Sequence, residues 1–536
     1  MLKRRDLLSA VALGPVCAGV ATIAPLSAVQ AATPRDLIVM AKQIDDIISF
    51  DPAESYEFSN NEVDGNVYRR LVTPSHTDTS KVIGDVAESW TISSDSKTFT
   101  FKLLTTAKFP SGKTLTAEDA AFSLHRVVKL NKTPGFIITQ FGFNKENVEK
   151  LITAPDPRTL VVQLPQLFAP SFLLFCLSAN VGSIVEKAVV MANDVNGDLG
   201  NAWLKTHSAG AGPYQLTSWQ ASDRVIIDIN PNSGIATNSK RIVIRHVADP
   251  SAQLLMLQKG DADIARDLTT DQIKALVGNK DVHLTSSGQG SSMYIAMNES
   301  MPELSKPQVR QAIKWAIDYD AIVKNVVPNK YEVQQAFLPK GLPGALTDKP
   351  FHKDIAKSKA LLKEAGLPDG FAVTMDYNSV APSSDIAQVV QANLKAIGIN
   401  VTLVPGENRQ VITKTRARAH QLAMLVWGTD YFDPNSNAQA FCANPDDSND
   451  SKLKILAWRS HYTDNQLTDM VERAAKELDS AKRIDMYQEM QRLAQQRAPF
   501  AMMLQTIATA AMGKGVSGFV VGPLPDYTKY ADIKKV

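Results

Sequence analysis

The sequence has few of the residues on which several classes of protein depend. It contains 3 cysteines in 536 residues, too few for a disulfide scaffold or a cysteine-rich zinc module. Its 8 histidines are isolated, without a His-x-His or His-x-x-x-His pair, so the sequence predicts no preformed metal site. The formal net charge is only +2, which gives the chain no strong attraction to nucleic acid or to an anionic membrane.

Long apolar runs are confined to the N-terminus. Beyond it no segment offers 18 consecutive apolar residues, which predicts a soluble mature chain. Residues 1–31 have the order of an export signal: a basic start at Lys3, an apolar stretch from Leu7 to Leu26, and small residues ending at Ala31. The pair Arg4-Arg5, followed by Asp6-Leu7-Leu8, indicates a twin-arginine signal, with Sec export as the alternative. We predict cleavage after Ala31 and a periplasmic protein.

Two other readings of the N-terminus remain open, a retained membrane anchor and a lipoprotein anchor at Cys17. The second fits poorly because the bulky Val16 directly precedes that cysteine. The full chain has 57 basic and 55 acidic residues, and residues 1–31 contain three of the basic and one of the acidic residues. Removal of the signal would leave 54 of each, so the predicted mature chain is formally neutral. It keeps Cys176 and Cys442, which we expect to be two buried free thiols.

The motifs of common enzyme classes are incomplete. Gly112-Lys113-Thr114 lacks the earlier glycine of a phosphate-binding loop, and Gly210-Ala211-Gly212 lacks the third glycine of a dinucleotide fingerprint. Ser94 to Lys97 fits Ser-x-x-Lys but falls in a polar turn without its partner motifs. Asp430 with Asp433 could form an acid/base pair, although a ligand counter-charge is the better use of one of them. We therefore predict no catalytic residues, no cofactor and no enzyme, with an exported peptidase or hydrolase as the alternative.

Hydrophobic periodicity predicts an α/β protein. Period-two alternation predicts a strand over 98–103, and further strands are expected at 225–229 and 242–244. Helical spacing predicts one helix over 309–326 and a helix pair over 465–497 whose first apolar face includes Leu467, Met470, Val471, Ala474 and Leu478.

The segment 371–434 is the most informative for function. Strands are predicted from Phe371 to Tyr377 and from Asn400 to Val404, around a helix with N-cap candidates at 383–385. This βαβ unit implies a parallel pair. A further strand from Gln421 to Trp427 runs into the loop 428–434, and ligands of α/β sheets bind beyond the carboxyl ends of strands.

Motifs along the whole mature chain resemble those of the dipeptide/oligopeptide/nickel family of extracellular solute-binding proteins of ABC importers. One motif alone would be weak, but these occur together and in the family's order. They are Phe50-Asp51-Pro52, Tyr68-Arg69-Arg70-Leu71-Val72, Val86-Ala87-Glu88-Ser89-Trp90, Phe109-Pro110-Ser111-Gly112, Leu115-Thr116-Ala117-Glu118-Asp119, Gly210-Ala211-Gly212-Pro213-Tyr214, Gly260-Asp261-Ala262-Asp263, Val309-Arg310-Gln311-Ala312-Ile313 and Ala360-Leu361-Leu362-Lys363-Glu364-Ala365-Gly366.

The resemblance implies a two-lobed periplasmic-binding-protein fold that closes on its ligand as a hinged clamp. It implies a first lobe from 32–54, 209–285 and 498–536, an inserted extra domain at 55–208, and a second lobe at 286–497. It also implies a monomer that delivers a small molecule or peptide to an inner-membrane ABC permease. A sensory or chaperone-like clamp is the third reading, and sequence alone does not separate it from transport.

Trp427 matches a Trp at the end of the same strand in peptide-binding members of the family. In those relatives the Asp three residues after the Trp binds the ligand's α-amino group, and Asp430 matches that position. A carboxylate beside aromatic rings suits an ammonium group. The expected ligand-binding residues are Trp427, Gly428, Thr429, Asp430, Tyr431 and Phe432, with Tyr56, Glu57 and Phe58 from the segment after Pro52.

Peptide-binding relatives also use a cationic side chain to bind the carboxylate of the peptide, and this sequence departs from them at two such positions. Val380-Ala381-Pro382 and Met424 stand where dipeptide-type and oligopeptide-type relatives carry an Arg. Arg409, Arg416 or Arg418 could supply a substitute. The sequence therefore predicts a cationic or amine-bearing solute, with short peptides and a chelated nickel ion as alternatives.

Overall fold

The structure is a computed structural model that describes residues 34–75 and 78–536. The predicted export signal, its twin-arginine pair, Cys17 and the cleavage site after Ala31 lie outside the described residues. Within the described ranges, no helix combines the length and the apolar character needed to cross a membrane.

A mixed sheet of eleven strands organises the described chain. Its two central strands, Val282–Met297 and Phe500–Gly513, are antiparallel and pair along most of their length. Tyr331–Val333 adds to the outer side of Phe500–Gly513. The hydrogen-bonded order is Ile399–Gly406, Phe371–Asn378, Leu422–Gly428, Val282–Met297, Phe500–Gly513, Ile264–Ala265, Leu37–Lys42, Arg241–His246, Arg224–Ile229 and Tyr214–Gln220.

The pairing of the two central strands is interrupted between Gly288 and Ser292. Residues 282–288 pair with 507–513 on one side of the break, and 292–296 pair with 500–505 on the other. Gly290 lies in the break, where an added Cβ would come within 2.4 Å of Leu524 Cδ2, so a larger residue would require the Leu524 side chain to move. The expected domain boundaries themselves stay a prediction.

A second, antiparallel sheet of four strands lies within the segment 55–208. Its outer face is polar, and its inner face carries Phe99, Phe101 and Leu103, as the period-two pattern predicted. The strands are Ala87–Ile92, Thr98–Leu103, Thr159–Gln163 and Ile152–Asp156, and the short pairs Val72–Pro74 with Val82–Gly84 and Val516–Ser517 with Lys534–Lys535 complete the strands.

Helices cover the faces of both sheets. They are Phe58–Val67, Ala117–Leu130, Phe136–Thr139, Val148–Leu151, Pro170–Ser178, Lys187–Ala192, Asn201–Leu204, Pro250–Lys259, Thr270–Leu276, Pro307–Ala316, Tyr319–Asn325, Ile355–Glu364, Ser383–Lys395, Asn408–Arg416, Asn435–Cys442, Leu456–Arg459, Asn465–Ala474 and Ser480–Arg497. Short 3-10 turns occur at Thr133–Gly135, Asn180–Gly182 and Pro525–Tyr527.

The predicted βαβ unit is confirmed. Phe371–Asn378 and Ile399–Gly406 pair in parallel around the helix Ser383–Lys395. The expected N-cap role of residues 383–385 is wrong, because the helix already begins at Ser383 and its N-cap, Pro382, has no side-chain hydrogen bond.

Two other helix expectations need correction. The single helix expected over 309–326 breaks at Ile317, and the Asp318 side chain accepts a hydrogen bond from Ala321 N to begin a second helix. Leu478 does not share the buried face of the helix Asn465–Ala474, because that helix ends before it and leaves it 46% exposed.

Both cysteines of the described chain are buried free thiols, as expected. Cys176 packs in the core of the segment 53–181, and Cys442 packs among the helices that follow the strand Leu422–Gly428.

Candidate ligand-binding cleft

A cavity of about 840 Å³ opens at the carboxyl end of the strand Leu422–Gly428. One wall comes from this strand end and from the segments around 412–416 and 452–459. The opposite wall comes from residues 55–61, 133–137 and 179–181. The cavity brings together eight of the nine predicted ligand-binding residues, which are Tyr56, Glu57, Phe58, Trp427, Gly428, Thr429, Asp430 and Tyr431.

Backbone and side-chain contacts fix the loop that carries Asp430. Thr429 N donates to Gly290 O at 2.7 Å, which ties the loop to the break in the central strands. Asp430 N donates to Ser436 Oγ at 3.0 Å, at the first turn of the helix Asn435–Cys442. These two backbone contacts position Asp430 at the cleft without using its carboxylate oxygens. The carboxylate oxygens can therefore accept hydrogen bonds from other groups.

Asp433 anchors the same loop to the protein interior. It is fully buried, and its two oxygens accept hydrogen bonds of 2.7 Å from the two terminal nitrogens of Arg483. A carboxylate bound in this way has no role as a general acid or base, so the idea of an Asp430 and Asp433 pair is wrong. Asp433 is a structural anchor that places Asp430.

The Asp430 carboxylate meets Tyr56 across the cleft. The Tyr56 hydroxyl donates a hydrogen bond to Asp430 Oδ1. Burial raises the pKa of Asp430 to about 6, and the hydrogen bond from Tyr56 opposes that rise. Burial also raises the pKa of Tyr56, and the Asp430 charge raises it further, so the phenol stays a neutral donor. No described cation forms an ion pair with Asp430, and the site therefore offers a carboxylate that lacks a counter-charge.

Apolar groups surround this carboxylate on both sides. The Phe58 ring is 59% exposed and lies over Gly428, where an added Cβ would come within 3.1 Å of Phe58 Cζ. Trp427 is half-buried and packs edge-on against Phe441 at 6.2 Å between ring centroids. Tyr431 reaches the cavity with little exposure, since its ring packs on Phe172.

Phe432 lies away from the cavity. Its ring is 1% exposed and packs between Phe175, at 6.0 Å, and Tyr527, at 5.6 Å. Phe432 therefore packs behind the cleft and does not line it.

The structure separates the three arginines that sequence reasoning considered for an anionic group. Arg416 lines the cavity. Arg409 lies outside it, on the exposed side of the same helix. Arg418 is occupied, because it pairs with Asp447 and stacks over Trp458 at 4.3 Å.

Sequence reasoning missed a further arginine of the cleft. Arg459 lines the cavity from the short helix Leu456–Arg459, 29 positions after Asp430. No motif marks it, and only the return of residues 452–459 to the strand end brings it there. Lys452 and Lys454 line the same wall.

The described residues contain no group of three or more His, Cys, Asp or Glu side chains that could hold a metal ion. A metal-based reaction at this cleft therefore has no set of protein ligands among residues 34–75 and 78–536.

Comparisons with known proteins identify the family of the chain. The family model "Bacterial extracellular solute-binding proteins, family 5 Middle" matches residues 81–449. The probable D,D-dipeptide-binding periplasmic protein DdpA of Escherichia coli K12 is 29% identical over 504 residues, covering 92% of this chain and 93% of that protein. The glutathione-binding protein GsiB of Shigella boydii (strain Sb227) is 25% identical over 515 residues, covering 95% of this chain and 96% of that protein.

Solved structures share the fold. The ABC transporter-associated periplasmic binding protein DppA of Helicobacter pylori, in complex with the peptide STSA, superposes with a TM-score of 0.76 at 22% identity. The match covers 93% of this chain and 98% of that one. The expected two-lobed α/β fold of periplasmic binding proteins is therefore confirmed, and the chain belongs to family 5 of the bacterial extracellular solute-binding proteins.

Proposed function

We propose that the protein is the periplasmic binding component of an ABC import system and captures an amine-bearing small solute or short peptide in the cleft at Asp430. The observation that carries this proposal is the Asp430 carboxylate, which lines the cavity, accepts a hydrogen bond from Tyr56, and has no cationic partner among the described residues. An ammonium group would supply that partner through a charge-assisted hydrogen bond.

The aromatic residues support the same ligand chemistry. Phe58 and Trp427 line the same cavity as Asp430. A cation that lies between a carboxylate and aromatic rings gains cation–π attraction as well as the charge interaction. The exposed Phe58 side chain also offers apolar surface to a ligand.

The relatives support peptides over other amines. Two of the compared proteins are named for a dipeptide and for glutathione, and the similar solved structure holds a peptide. The cavity of about 840 Å³ is large enough for a short peptide. Delivery to a permease, export across the inner membrane and a monomeric state follow from the family and belong to this proposal, as does the absence of enzymatic activity.

Mass spectrometry of the protein purified without denaturation tests the proposal, followed by calorimetric titration with L,L and D,D dipeptides. We expect a co-purifying amine-bearing compound or micromolar binding of at least one dipeptide. Binding that is unchanged in Asp430→Ala, or that is confined to solutes without an amine, would overturn the assignment.

A further inference from the structure

The wall of the cleft formed by residues 412–416 and 452–459 carries an excess of positive charge. Arg416, Lys452, Lys454 and Arg459 all line the cavity. The carboxylates that line it are Asp430, Glu57 and Asp526, and Asp526 is already paired with Arg70 at 2.9 Å. Two acidic groups thus remain against four basic ones, in a chain whose predicted mature form is neutral.

The two arginines lack acidic partners in the described chain. The Arg416 side chain is exposed and forms no ion pair or hydrogen bond with described residues. The Arg459 side chain is half-buried, and its one hydrogen bond within the described chain runs from Nε to Lys454 O at 3.3 Å. The terminal nitrogens of Arg459, which form the fork that binds a carboxylate bidentately, have no partner among the described residues.

The electrostatics of the cleft favour an incoming anion. Burial lowers the pKa of Arg459, Tyr294 and Tyr56 oppose that change, and the nearby Arg416 charge lowers the pKa further, so the two guanidinium groups repel each other. On the acidic side, burial raises the pKa of both Asp430 and Glu57, which reduces the negative charge that they contribute. A bound carboxylate would relieve the repulsion between the arginines.

Resting on the function proposed above, we infer that the ligand is an acidic amino compound of net negative charge, with one ammonium group and two carboxylate groups. Asp430 and Tyr56 receive the ammonium group, and Arg416 and Arg459 receive the carboxylates. The basic wall replaces the missing arginines at Val380 and Met424, and it reverses the expectation of a cationic solute that the sequence alone favoured.

A purely structural role for Arg416 makes a different prediction. Arg416 occupies the last turn of the helix Asn408–Arg416, where a cation complements the helix dipole. Substitution would then change stability and leave ligand preference untouched. Arg409 lies on the same helix outside the cavity and provides a matched control for the loss of one positive charge.

The test is calorimetric titration with alanylglutamate and its isosteric amide alanylglutamine, each in L,L and D,D forms. The inference predicts that alanylglutamate binds about tenfold or more tightly than alanylglutamine. Arg459→Gln and Arg416→Gln should remove that preference, Arg459→Lys should restore part of it, and Arg409→Gln should leave it unchanged.

The outcomes separate the two proposals. Equal affinities for the two peptides, or a preference that persists in both Gln variants, would overturn the acidic ligand and leave the binding function standing. Binding of neither peptide in either stereochemical form would overturn this inference, and it would overturn the proposed function as well if no amine-bearing compound co-purifies.

Discussion

Tyr56 donates a hydrogen bond to Asp430 across 374 positions of sequence. The phenol comes from the segment that precedes the helix Phe58–Val67, and the carboxylate comes from the loop after the strand Leu422–Gly428. Residues on opposite walls of the cleft therefore meet at the point where we place the ligand's amine. This contact joins the two walls of the cleft and opposes the rise in the pKa of Asp430.

Replacement of the phenol tests the contact directly. In Tyr56→Phe, Asp430 loses the hydrogen bond that opposes the rise in its pKa, so that pKa should move above 6. Binding of alanylglutamine should weaken most near pH 6 and recover towards pH 8, where the carboxylate is ionised in both proteins. Titrations at the two pH values measure the difference, and an equal loss at both would show that Tyr56 acts only by packing.

The raised pKa of Asp430 also predicts a pH profile for the wild-type protein. An ammonium group binds the ionised carboxylate, and with a pKa of about 6 most Asp430 side chains of the empty protein are protonated at pH 5. Affinity for alanylglutamine should therefore fall by about tenfold between pH 7 and pH 5. Asp430→Asn should have a flat profile over this range, and a flat profile in the wild type would contradict the role of Asp430.

Asp430 should also lower the stability of the empty protein at neutral pH. Its folded pKa of about 6 exceeds the ordinary value of 3.8, so its favourable contribution is complete below pH 3.8 and is lost as the pH rises through 6. Asp430→Asn should raise the unfolding free energy of the empty protein at pH 7 by about 1–2 kcal/mol, allowing for partial exposure. Thermal denaturation at pH 7 and pH 4 should show the gain at pH 7 only.

The buried pair of Asp433 and Arg483 should control the position of the loop. Asp433→Ala leaves a buried guanidinium group without its partner and should destabilise the protein by about 3–5 kcal/mol. Chemical denaturation measures this loss. Asp469→Ala, which removes an exposed pair with Arg473, provides the control and should change stability little. A similar small effect for Asp433→Ala would contradict the anchoring role.

Local sequence patterns were sufficient for much of the fold. Alternating apolar residues located the strand Thr98–Leu103, and the βαβ pattern around Ser383–Lys395 placed the loop of Asp430 at a sheet edge. The helix over 309–326 was predicted as continuous because its apolar spacing continues through Ile317, while Asp318 begins a new helix by capping it. The apolar spacing favours one continuous helix, whereas the Asp318 cap favours a new start. Which of the two forms depends on how the chain packs nearby.

The sequence predicted the acidic side of the candidate site and one of its two arginines, Arg416. Asp430 and Trp427 lie on one strand end, so their proximity follows from local sequence. Arg459 belongs to a separate helix, and its place in the cleft depends on long-range packing that no spacing reveals. Phe432 was included because it follows Tyr431, although its ring packs behind the cleft.

A double-mutant cycle between Asp430 and the amine of the ligand tests the central claim most directly. It compares alanylglutamine with N-acetyl-alanylglutamine on the wild-type protein and on Asp430→Asn by calorimetry at pH 7.5. If Asp430 binds the amine, acetylation should cost the wild type about 1.5–3 kcal/mol more than it costs the variant. Equal costs of acetylation in the two proteins would contradict the claim.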